Sequence, residues 1–156
     1  MAKDRQYASE LDELDLKILR VLQLNSRISF SDLSRRLGVP EATVRYRVRK
    51  LVDKGVIRGF YTLLDPRKVG LPFSVIILID VDPERLDQVF DKLRGMSEAT
   101  HVFKLTGKYN IVAIFHARDM KHVSEIDEIV RSQSGVRSAE TLLVTGFMHI
   151  NPELPI

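Results

Sequence analysis

The chain has 156 residues, of which 44% are hydrophobic and 29% are charged, as is ordinary for a soluble globular protein of one domain or two small ones. It contains no cysteine, which excludes disulfides and thiolate zinc sites and favours a reducing cytosol. The N-terminus lacks the apolar stretch of a secretory signal, and no apolar run approaches the ~18 residues of a transmembrane helix, so we expect a cytoplasmic protein.

Charge is distributed unevenly along the chain. Residues 1–60 contain 13 Lys and Arg against 8 Asp and Glu, a net charge of +5, whereas residues 61–156 contain 11 against 13, a net charge of −2. Such asymmetry favours a polyanion-binding N-terminal part and a C-terminal part with another task.

Three helices are predicted in the N-terminal part. The first ends at the segment "NSRIS". Ser29 or Ser31 can cap a short second helix that Gly38 ends, and Pro40 begins a third that runs to about Lys54. The last two helices are joined by the short turn "GVPE", which is a helix-turn-helix arrangement. The segment "GVIRGFYTLLD" then predicts a short β-ribbon, or wing, that leads into a hinge.

The pattern of elements changes after residue 72. The predicted elements are strand 73–81, helix 82–95, strands 99–107 and 110–117, helix 119–135 and strand 137–150. The apolar residues expected to face inward from the two helices are Leu86, Val89, Phe90, Leu93, Val123, Ile126, Ile129 and Val130. The order β-α-β-β-α-β is ferredoxin-like, with helices on one face of an antiparallel sheet.

The predicted fold is therefore α+β, with two domains. Residues 1–60 form a winged helix-turn-helix domain, residues 61–72 form the wing strand and hinge, and residues 73–156 form the ferredoxin-like domain.

The third helix has two dissimilar faces. Its apolar stripe is formed by Val44, Val48, Leu51 and Val52. The opposite face carries cations, an aromatic ring and a hydroxyl, with almost no acid; its residues are Ala42, Thr43, Arg45, Tyr46, Arg49 and Lys50. Like charges four residues apart cost a helix a few tenths of a kcal/mol (roughly 0.2–0.5), and DNA phosphates would neutralise them.

The helix-turn-helix geometry divides this face into two halves. The N-terminal half of the second helix of such a pair contacts base edges in the major groove, which assigns that task to Ala42, Thr43, Arg45 and Tyr46. Arg49 and Lys50 lie further along, where phosphate contact is expected, and Arg58 in the wing is placed to contact a flanking phosphate. Arg47 lies at the border of the apolar stripe, and we include it among the DNA-contacting candidates although it can equally serve the fold.

The segment from "LDELDLKILRVL" through "RLGVPEATVRYRVRKLVDKGVIRGFY" to "DPRKVG" resembles the opening of the Lrp/AsnC (leucine-responsive, feast/famine) transcription regulators of bacteria and archaea. The resemblance covers roughly residues 11–150. It implies a regulator that binds double-stranded operator DNA and carries a C-terminal ferredoxin-like (RAM-type) domain. It also implies that this domain dimerises, binds small molecules that are commonly amino acids, and supports assembly into tetramers or octamers.

The resemblance also implies an effector site between the C-terminal domains of neighbouring dimers. A hairpin there usually has the sequence Gly-x-Tyr/Phe-Asp, and the matching residues of this chain are Thr106, Gly107, Lys108, Tyr109 and Asn110. An amide at position 110 is a weaker partner for an ammonium group than a carboxylate, so the identity of the effector stays open. The alternative is that "GKY" is a tight hairpin needing glycine for its backbone conformation.

No catalytic or metal site is predicted, because the four histidines are scattered and no phosphate-loop motif occurs. We expect no cofactor other than a possible amino-acid effector. Two alternatives to a regulator remain: an enzyme similar to the sirohaem decarboxylases, which share the two-domain plan, and an amino-acid-sensing assembly module with a vestigial helix-turn-helix.

Overall fold

The computed structural model describes residues 11–146 and 153–156. Two compact units are present among them: residues 11–62 together with 153–156, and residues 63–146. The tail 153–156, which we expected to lie with the C-terminal domain, belongs instead to the first unit. None of the described helices is long and apolar enough to span a bilayer.

The first unit contains three helices, α1 (Glu13–Leu24), α2 (Phe30–Leu37) and α3 (Glu41–Asp53). Ser29, one of the two predicted caps, accepts a hydrogen bond from the backbone N–H of Asp32 at 3.0 Å and so begins α2. The three predicted helices are therefore present in the expected order.

The core of the first unit consists of apolar side chains from all three helices: Ile18, Leu19, Val21, Leu22, Leu33, Val44, Val48 and Leu51. Val52, which we predicted to be buried, is 43% exposed. It lies about 80° around the helix from Val44 at ~100° per residue, at the margin of the apolar stripe. Only the centre of the stripe of α3 is covered.

The tail of the chain is bound to α1 by side-chain hydrogen bonds. The amide of Gln23 donates to the carbonyl of Leu154 at 3.3 Å and accepts from its N–H at 2.6 Å. Nε of Arg20 donates to the carbonyl of Ile156 at 2.6 Å. These contacts span more than 130 residues of sequence, so no local pattern predicts them.

The predicted β-ribbon after α3 is absent, since residues 56–65 contain no strand. A strand requires a neighbouring strand for its ladder of hydrogen bonds, and no described strand of the single chain pairs with this segment. Val56 and Ile57 pack against the core of the first unit, whereas the large apolar side chains that follow are more than half exposed; they are Phe60, Tyr61, Leu63 and Leu64.

The second unit is a four-stranded antiparallel sheet with helices on one face. The strands are β1 (Phe73–Val81), β2 (Ala99–Lys104), β3 (Ile111–Ala117) and β4 (Val136–Leu143), arranged in the order β2-β3-β1-β4. The helices are α4 (Leu86–Arg94) and α5 (Met120–Arg131). This is the predicted ferredoxin-like topology.

Several predicted bounds differ from the observed ones. A 3-10 turn, Pro83–Arg85, precedes α4 because Asp82 caps it by accepting from the N–H of Glu84 at 3.1 Å. The strand predicted over 99–107 ends at Lys104, where the hairpin begins. The last four residues of the strand predicted over 137–150 lie outside the described residues.

The core of the second unit lies between the sheet and its helices. Its fully or nearly fully buried side chains are Val75, Ile77, Ile79, Val81, Val89, Leu93, Ile111, Ala113, Phe115, Ala117, Val123, Ile126 and Val130. Ile129, predicted to face inward, is 45% exposed. It lies ~100° around the helix from Val130, on the flank of the stripe that Ile126 and Val130 bury.

The outer face of the sheet is also apolar. Because side chains alternate along a strand, the residues between the buried ones point away from the helices. The outward-facing apolar residues, taken from all four strands by their register, are Ile76, Leu78, Phe103, Val112, Ile114 and Leu142. We refer to these six residues as the outer face; Phe103 is 50% exposed and Leu142 is 42% exposed.

The two isoleucines of α5 test this assignment of faces. Replacing the buried Ile126 by alanine should lower the free energy of unfolding by about 2–5 kcal/mol, because a cavity is left in the core. Replacing Ile129 by alanine should change it by less than about 1 kcal/mol. Urea denaturation at one fixed protein concentration measures both; equal losses would contradict the assigned faces.

Candidate nucleic-acid interface and effector hairpin

The turn between α2 and α3 is held by both backbone and side-chain hydrogen bonds. Gly38 adopts a φ of 68°, a left-handed conformation that favours glycine. The N–H of Val39 donates to the carbonyl of Ser34 at 3.2 Å, and the hydroxyl of Ser34 donates to the carbonyl of Val39 at 2.5 Å. The direction in which α3 leaves the turn is therefore fixed by local contacts.

The predicted DNA-contacting residues of α3 lie along one surface of this helix, apart from Arg47. Ala42, Arg45, Tyr46 and Arg49 are exposed, and Tyr46 is 63% exposed. Thr43 and Lys50 are half-buried at the flanks of that surface, and Arg58 is exposed beyond the end of the helix. We call Ala42, Thr43, Arg45, Tyr46, Arg49 and Lys50 the recognition face.

The recognition face is less purely cationic than the sequence pattern indicated. Arg45 donates to Glu41 at 2.6 Å, and its guanidinium lies 4.8 Å from the centre of the Phe30 ring. Arg49 lies 4.0 Å from Asp53, a looser contact in which the arginine side chain is 83% exposed. Arg45 is thus held in place by an acid and a ring, whereas Arg49 extends into solvent.

Arg47 is engaged within the first unit. Its guanidinium donates to Asp12 at 2.5 Å and to Asp15 at 3.2 Å, and its own side chain is 24% exposed. The hydrogen bond to Asp12 raises the pKa of Arg47, while the backbone N–H of Asp15 and then Arg47 lower the pKa of Asp12. Arg47 therefore anchors α3 to the start of α1, and a contact of Arg47 with DNA stays a prediction.

The two aspartates also begin α1. The N–H of Asp15 donates to Asp12 at 2.9 Å and the N–H of Asp12 donates back to Asp15 at 3.4 Å, a reciprocal capping box. The side chain of Asp15 is 3% exposed. One cluster of three charges therefore caps α1 and fixes α3.

The hairpin between β2 and β3 contains the predicted effector residues. Gly107 adopts a φ of 118°, which side chains with a Cβ rarely tolerate, and the space beside it is open. The N–H of Leu105 donates to the carbonyl of Asn110 at 2.9 Å and closes the loop. Thr106 and Lys108 are exposed at the tip, and Tyr109 is half-buried.

Asn110 is turned toward the sheet. Its side-chain oxygen accepts from the N–H of Val81 at 2.9 Å, and its side-chain nitrogen donates to the carbonyl of Val81 at 2.6 Å. Its backbone N–H donates to the carbonyl of Ile79 at 3.0 Å. The side chain of Asn110, directly before β3, thus extends the hydrogen bonding between β1 and β3 by one residue of β1. An aspartate could not make both side-chain bonds, since its carboxylate lacks a donor.

A tyrosine, a lysine and a glutamate lie together at this hairpin. The hydroxyl of Tyr109 donates to Glu140 of β4 at 2.7 Å. Nζ of Lys108 lies 4.9 Å from the centre of the Tyr109 ring. The pKa of Lys108 is raised, first by Tyr109 and then by Glu140 and Asp80. Glu140 was not identified from the sequence as a neighbour of this hairpin.

The three described histidines have different surroundings. Nδ1 of His116 is 2.7 Å from the hydroxyl of the buried Ser74, and burial lowers the pKa of His116. His122 is buried at the start of α5, His101 is exposed on β2, and His149 lies outside the described residues. Among the residues that the structure describes, no three His, Asp or Glu side chains form a metal-binding group.

Two family profiles match the chain. A winged helix-turn-helix DNA-binding profile matches residues 11–58, and an Lrp/AsnC ligand binding domain profile matches residues 74–150.

Regulators of archaea are similar to the chain over most of its length. An HTH-type transcriptional regulator of Pyrococcus abyssi is 39% identical over 137 residues, which cover 87% of each chain. The HTH-type transcriptional regulator Ptr1 of Methanocaldococcus jannaschii is 32% identical over 147 residues, covering 94% of this chain and 99% of the relative. These relatives favour a regulator over the decarboxylase-like enzyme and over the vestigial module.

Solved structures share the fold. A transcriptional regulator of Neisseria meningitidis, determined as a complex with L-Met, is 28% identical with a TM-score of 0.84, covering 93% of this chain and 96% of its own. AsnC of E. coli is 26% identical with a TM-score of 0.78, covering 91% of this chain and 99% of its own.

Arg47 and Arg49 of α3 are expected to differ in their contribution to stability. Arg47→Ala should lower the free energy of unfolding by about 1–3 kcal/mol, because the buried carboxylate of Asp15 loses its charged partner. Arg49→Ala should change it by less than about 0.5 kcal/mol. Denaturant unfolding of both variants provides the comparison, and an unaltered stability for Arg47→Ala would show that the anchor is not needed.

The structural role of Asn110 can be tested by replacing its side-chain nitrogen, which donates to Val81, with an oxygen. Asn110→Asp should destabilise the protein by about 1–3 kcal/mol, since a carboxylate would face the carbonyl of Val81 without a donor. Thr106→Ser, at the exposed tip of the same hairpin, serves as the control. Thermal unfolding that gives equal midpoints for Asn110→Asp and the wild type would refute the structural role of the amide.

Proposed function

The chain belongs to the Lrp/AsnC family of HTH-type transcriptional regulators, and from this premise we propose which of its residues contact DNA and which receive the small-molecule effector. It is a DNA-binding regulator with a ligand-binding C-terminal domain. The observation that carries the assignment is the recognition face: one exposed surface of α3, directly after a fixed turn, bears two exposed arginines and an exposed tyrosine.

We assign sequence recognition to the N-terminal half of α3. In a helix-turn-helix this half lies in the major groove, where arginine binds guanine and a threonine methyl contacts thymine. Ala42, Thr43, Arg45 and Tyr46 occupy it. The contacts of Arg45 with Glu41 and Phe30 support this role, because a side chain held in one orientation loses less entropy when it binds.

Phosphate contact is assigned to Arg49, Lys50 and Arg58. The side chain of Arg49 is 83% exposed, as suits a residue that contacts the sequence-independent charge of the DNA phosphates. Each phosphate neutralised releases condensed counterions and makes binding more sensitive to salt.

The effector is proposed to be an amino acid bound at the hairpin of residues 106–110. The structural relative from Neisseria meningitidis was solved with L-Met, which supports an amino acid for this chain too. The space where a side chain of residue 107 would lie is open, so a carboxylate has room to approach the backbone there. Asn110 contributes by shaping the loop through Val81 rather than by binding the ligand directly.

A homodimer is proposed to form through the outer face of the sheet. The six apolar side chains of this face are at least partly exposed in the described part of the single chain, and a second copy presenting the same surface would bury them. A two-fold dimer would place two α3 helices about 34 Å or a multiple of it apart along DNA, so the operator should be a loose palindrome. Further assembly into tetramers or octamers, and a location in the cytoplasm, complete the proposal.

The phosphate contacts can be tested by salt dependence. Arg49→Ala and Lys50→Ala should each weaken binding to all DNA sequences and reduce the slope of log affinity against log salt by about one. Arg94→Ala, which removes an exposed arginine from α4 in the second unit, is the matched control and should leave the slope unaltered. Gel shifts over a salt series measure all three, and unchanged slopes for both α3 variants would contradict the phosphate role.

A further inference from the structure

The first residue of α3 is an acid, although this end of the helix is the one proposed to enter the major groove. The side chain of Glu41 is 45% exposed and lies about 40° around the helix from Arg45, on the flank of the recognition face. DNA phosphates repel a carboxylate, so Glu41 weakens binding to every sequence alike. A residue with that general cost suits a role in selecting one sequence over others.

Glu41 and Arg45 act as one hydrogen-bonded pair. Nη2 of Arg45 donates to Oε1 of Glu41 at 2.6 Å, and the guanidinium carbon lies over the Phe30 ring, 4.8 Å from its centre. Stacking occupies a face of the planar guanidinium, whereas its roughly five N–H donors lie in the plane. The bond to Glu41 uses one of these donors, so others remain for a base. The pair therefore offers donors from Arg45 directly beside acceptors from Glu41.

This order of donors and acceptors matches the major-groove edge of a G·C base pair. That edge presents two acceptors, N7 and O6 of guanine, followed by the N4 amino donor of cytosine. O6 and N4 are themselves joined by a base-pairing hydrogen bond of about 2.9 Å, close to the 2.6 Å between Arg45 and Glu41. The side-chain pair can thus lie beside the base pair, with Arg45 opposite O6 and Glu41 opposite N4.

An A·T base pair does not match the same two side chains. Its edge presents N7 of adenine as an acceptor, then the N6 amino donor, then O4 of thymine as an acceptor. The amino group of adenine would face an N–H of Arg45, and O4 of thymine would face the carboxylate of Glu41. Two acceptors that meet in a closed interface cost more than an absent contact, because each loses its water without gaining a partner. Glu41 therefore disfavours A·T at this position.

We propose that Glu41 is a specificity-determining residue, whose carboxylate accepts from the N4 amino group of a cytosine while Arg45 binds the guanine paired with it. The inference rests on the proposed function of the first half of α3 and names the base pair that this half selects. Phe30 and Glu41 together hold the guanidinium for that contact.

The base pair is located first. Binding sites are selected from a random DNA pool with the full-length wild type and with Arg45→Ala. The position at which Arg45→Ala loses its preference is the one that Arg45 contacts, and it should be G·C in the wild-type consensus. The cytosine of that pair is then replaced by N4-methylcytosine, whose methyl group takes the place of the amino hydrogen that faces the major groove while base pairing is kept.

Gel shifts then compare the two duplexes for the wild type, Glu41→Ala and Glu13→Ala. Glu13 is the matched control, because it begins α1 and pairs with a cation four residues on, Lys17, at 2.8 Å. The methyl group should weaken binding of the wild type and of Glu13→Ala about 10- to 100-fold, the range for one hydrogen bond to a charged group. It should leave the affinity of Glu41→Ala unchanged. Glu41→Ala should also bind random-sequence DNA more tightly than the wild type, since a repelling charge is gone.

Three results would overturn the inference. Equal effects of the methyl group on the wild type and on Glu41→Ala would show that the cytosine amino group does not contact Glu41. A base pair other than G·C at the position that depends on Arg45 would refute the pairing and leave sequence recognition by α3 intact. If Arg45→Ala returns the wild-type consensus, or if the wild type selects no consensus, the proposed base contact of Arg45 fails together with the inference.

Discussion

The architecture of the DNA-binding unit depends on one constraint: α3, a helix of 13 residues, must bury one side and leave the other side exposed. The apolar stripe alone allows a broad range of rotations of α3 about its own axis. Arg47 narrows this range, because its guanidinium, at the border of the stripe, is bound to Asp12 and Asp15 at the start of α1. The same two aspartates cap α1. Rotating α3 would break both ion pairs of Arg47, so the face bearing Arg45 and Tyr46 is held outward.

In the ligand-binding unit, a residue of the hairpin between β2 and β3 is bonded to the sheet. The side-chain amide of Asn110 forms the two hydrogen bonds with the backbone of Val81 that a paired strand residue would form, and this requires one donor and one acceptor. The family pattern places an aspartate there, which supplies charge but no donor. The hairpin of this chain therefore separates loop shape from charge. Charge is available from Lys108 and Glu140, which share contact with Tyr109.

Elements defined by local patterns were predicted well from the sequence. The strand at residues 73–81 has its predicted bounds because its apolar run is bounded by a proline and by a capping aspartate, and the helix-turn-helix follows from the positions of Ser29, Gly38 and Pro40. Val52 and Ile129, at the edges of apolar stripes, were predicted to be buried but are exposed. Periodicity gives the angular position of a side chain on its helix, but it does not give how far the neighbouring elements extend over that helix. The partners of Arg47 and Asn110 lie about 30 residues away, and the tail bonds to α1 across more than 130 residues, so no local pattern specifies these contacts. The segment predicted to be the wing forms no strand, because a strand needs a second strand beside it and the local sequence does not specify one.

The central claim is that the first half of α3 selects the DNA sequence while the second half binds the backbone. Selection of binding sites from a random DNA pool tests it directly, with wild type, Tyr46→Ala and Arg49→Ala treated in parallel at equal salt. The account predicts that Arg49→Ala returns the wild-type consensus at lower affinity and that Tyr46→Ala returns a consensus altered or degenerate at the bases this residue contacts. An unchanged consensus for Tyr46→Ala, or a changed one for Arg49→Ala, would contradict it.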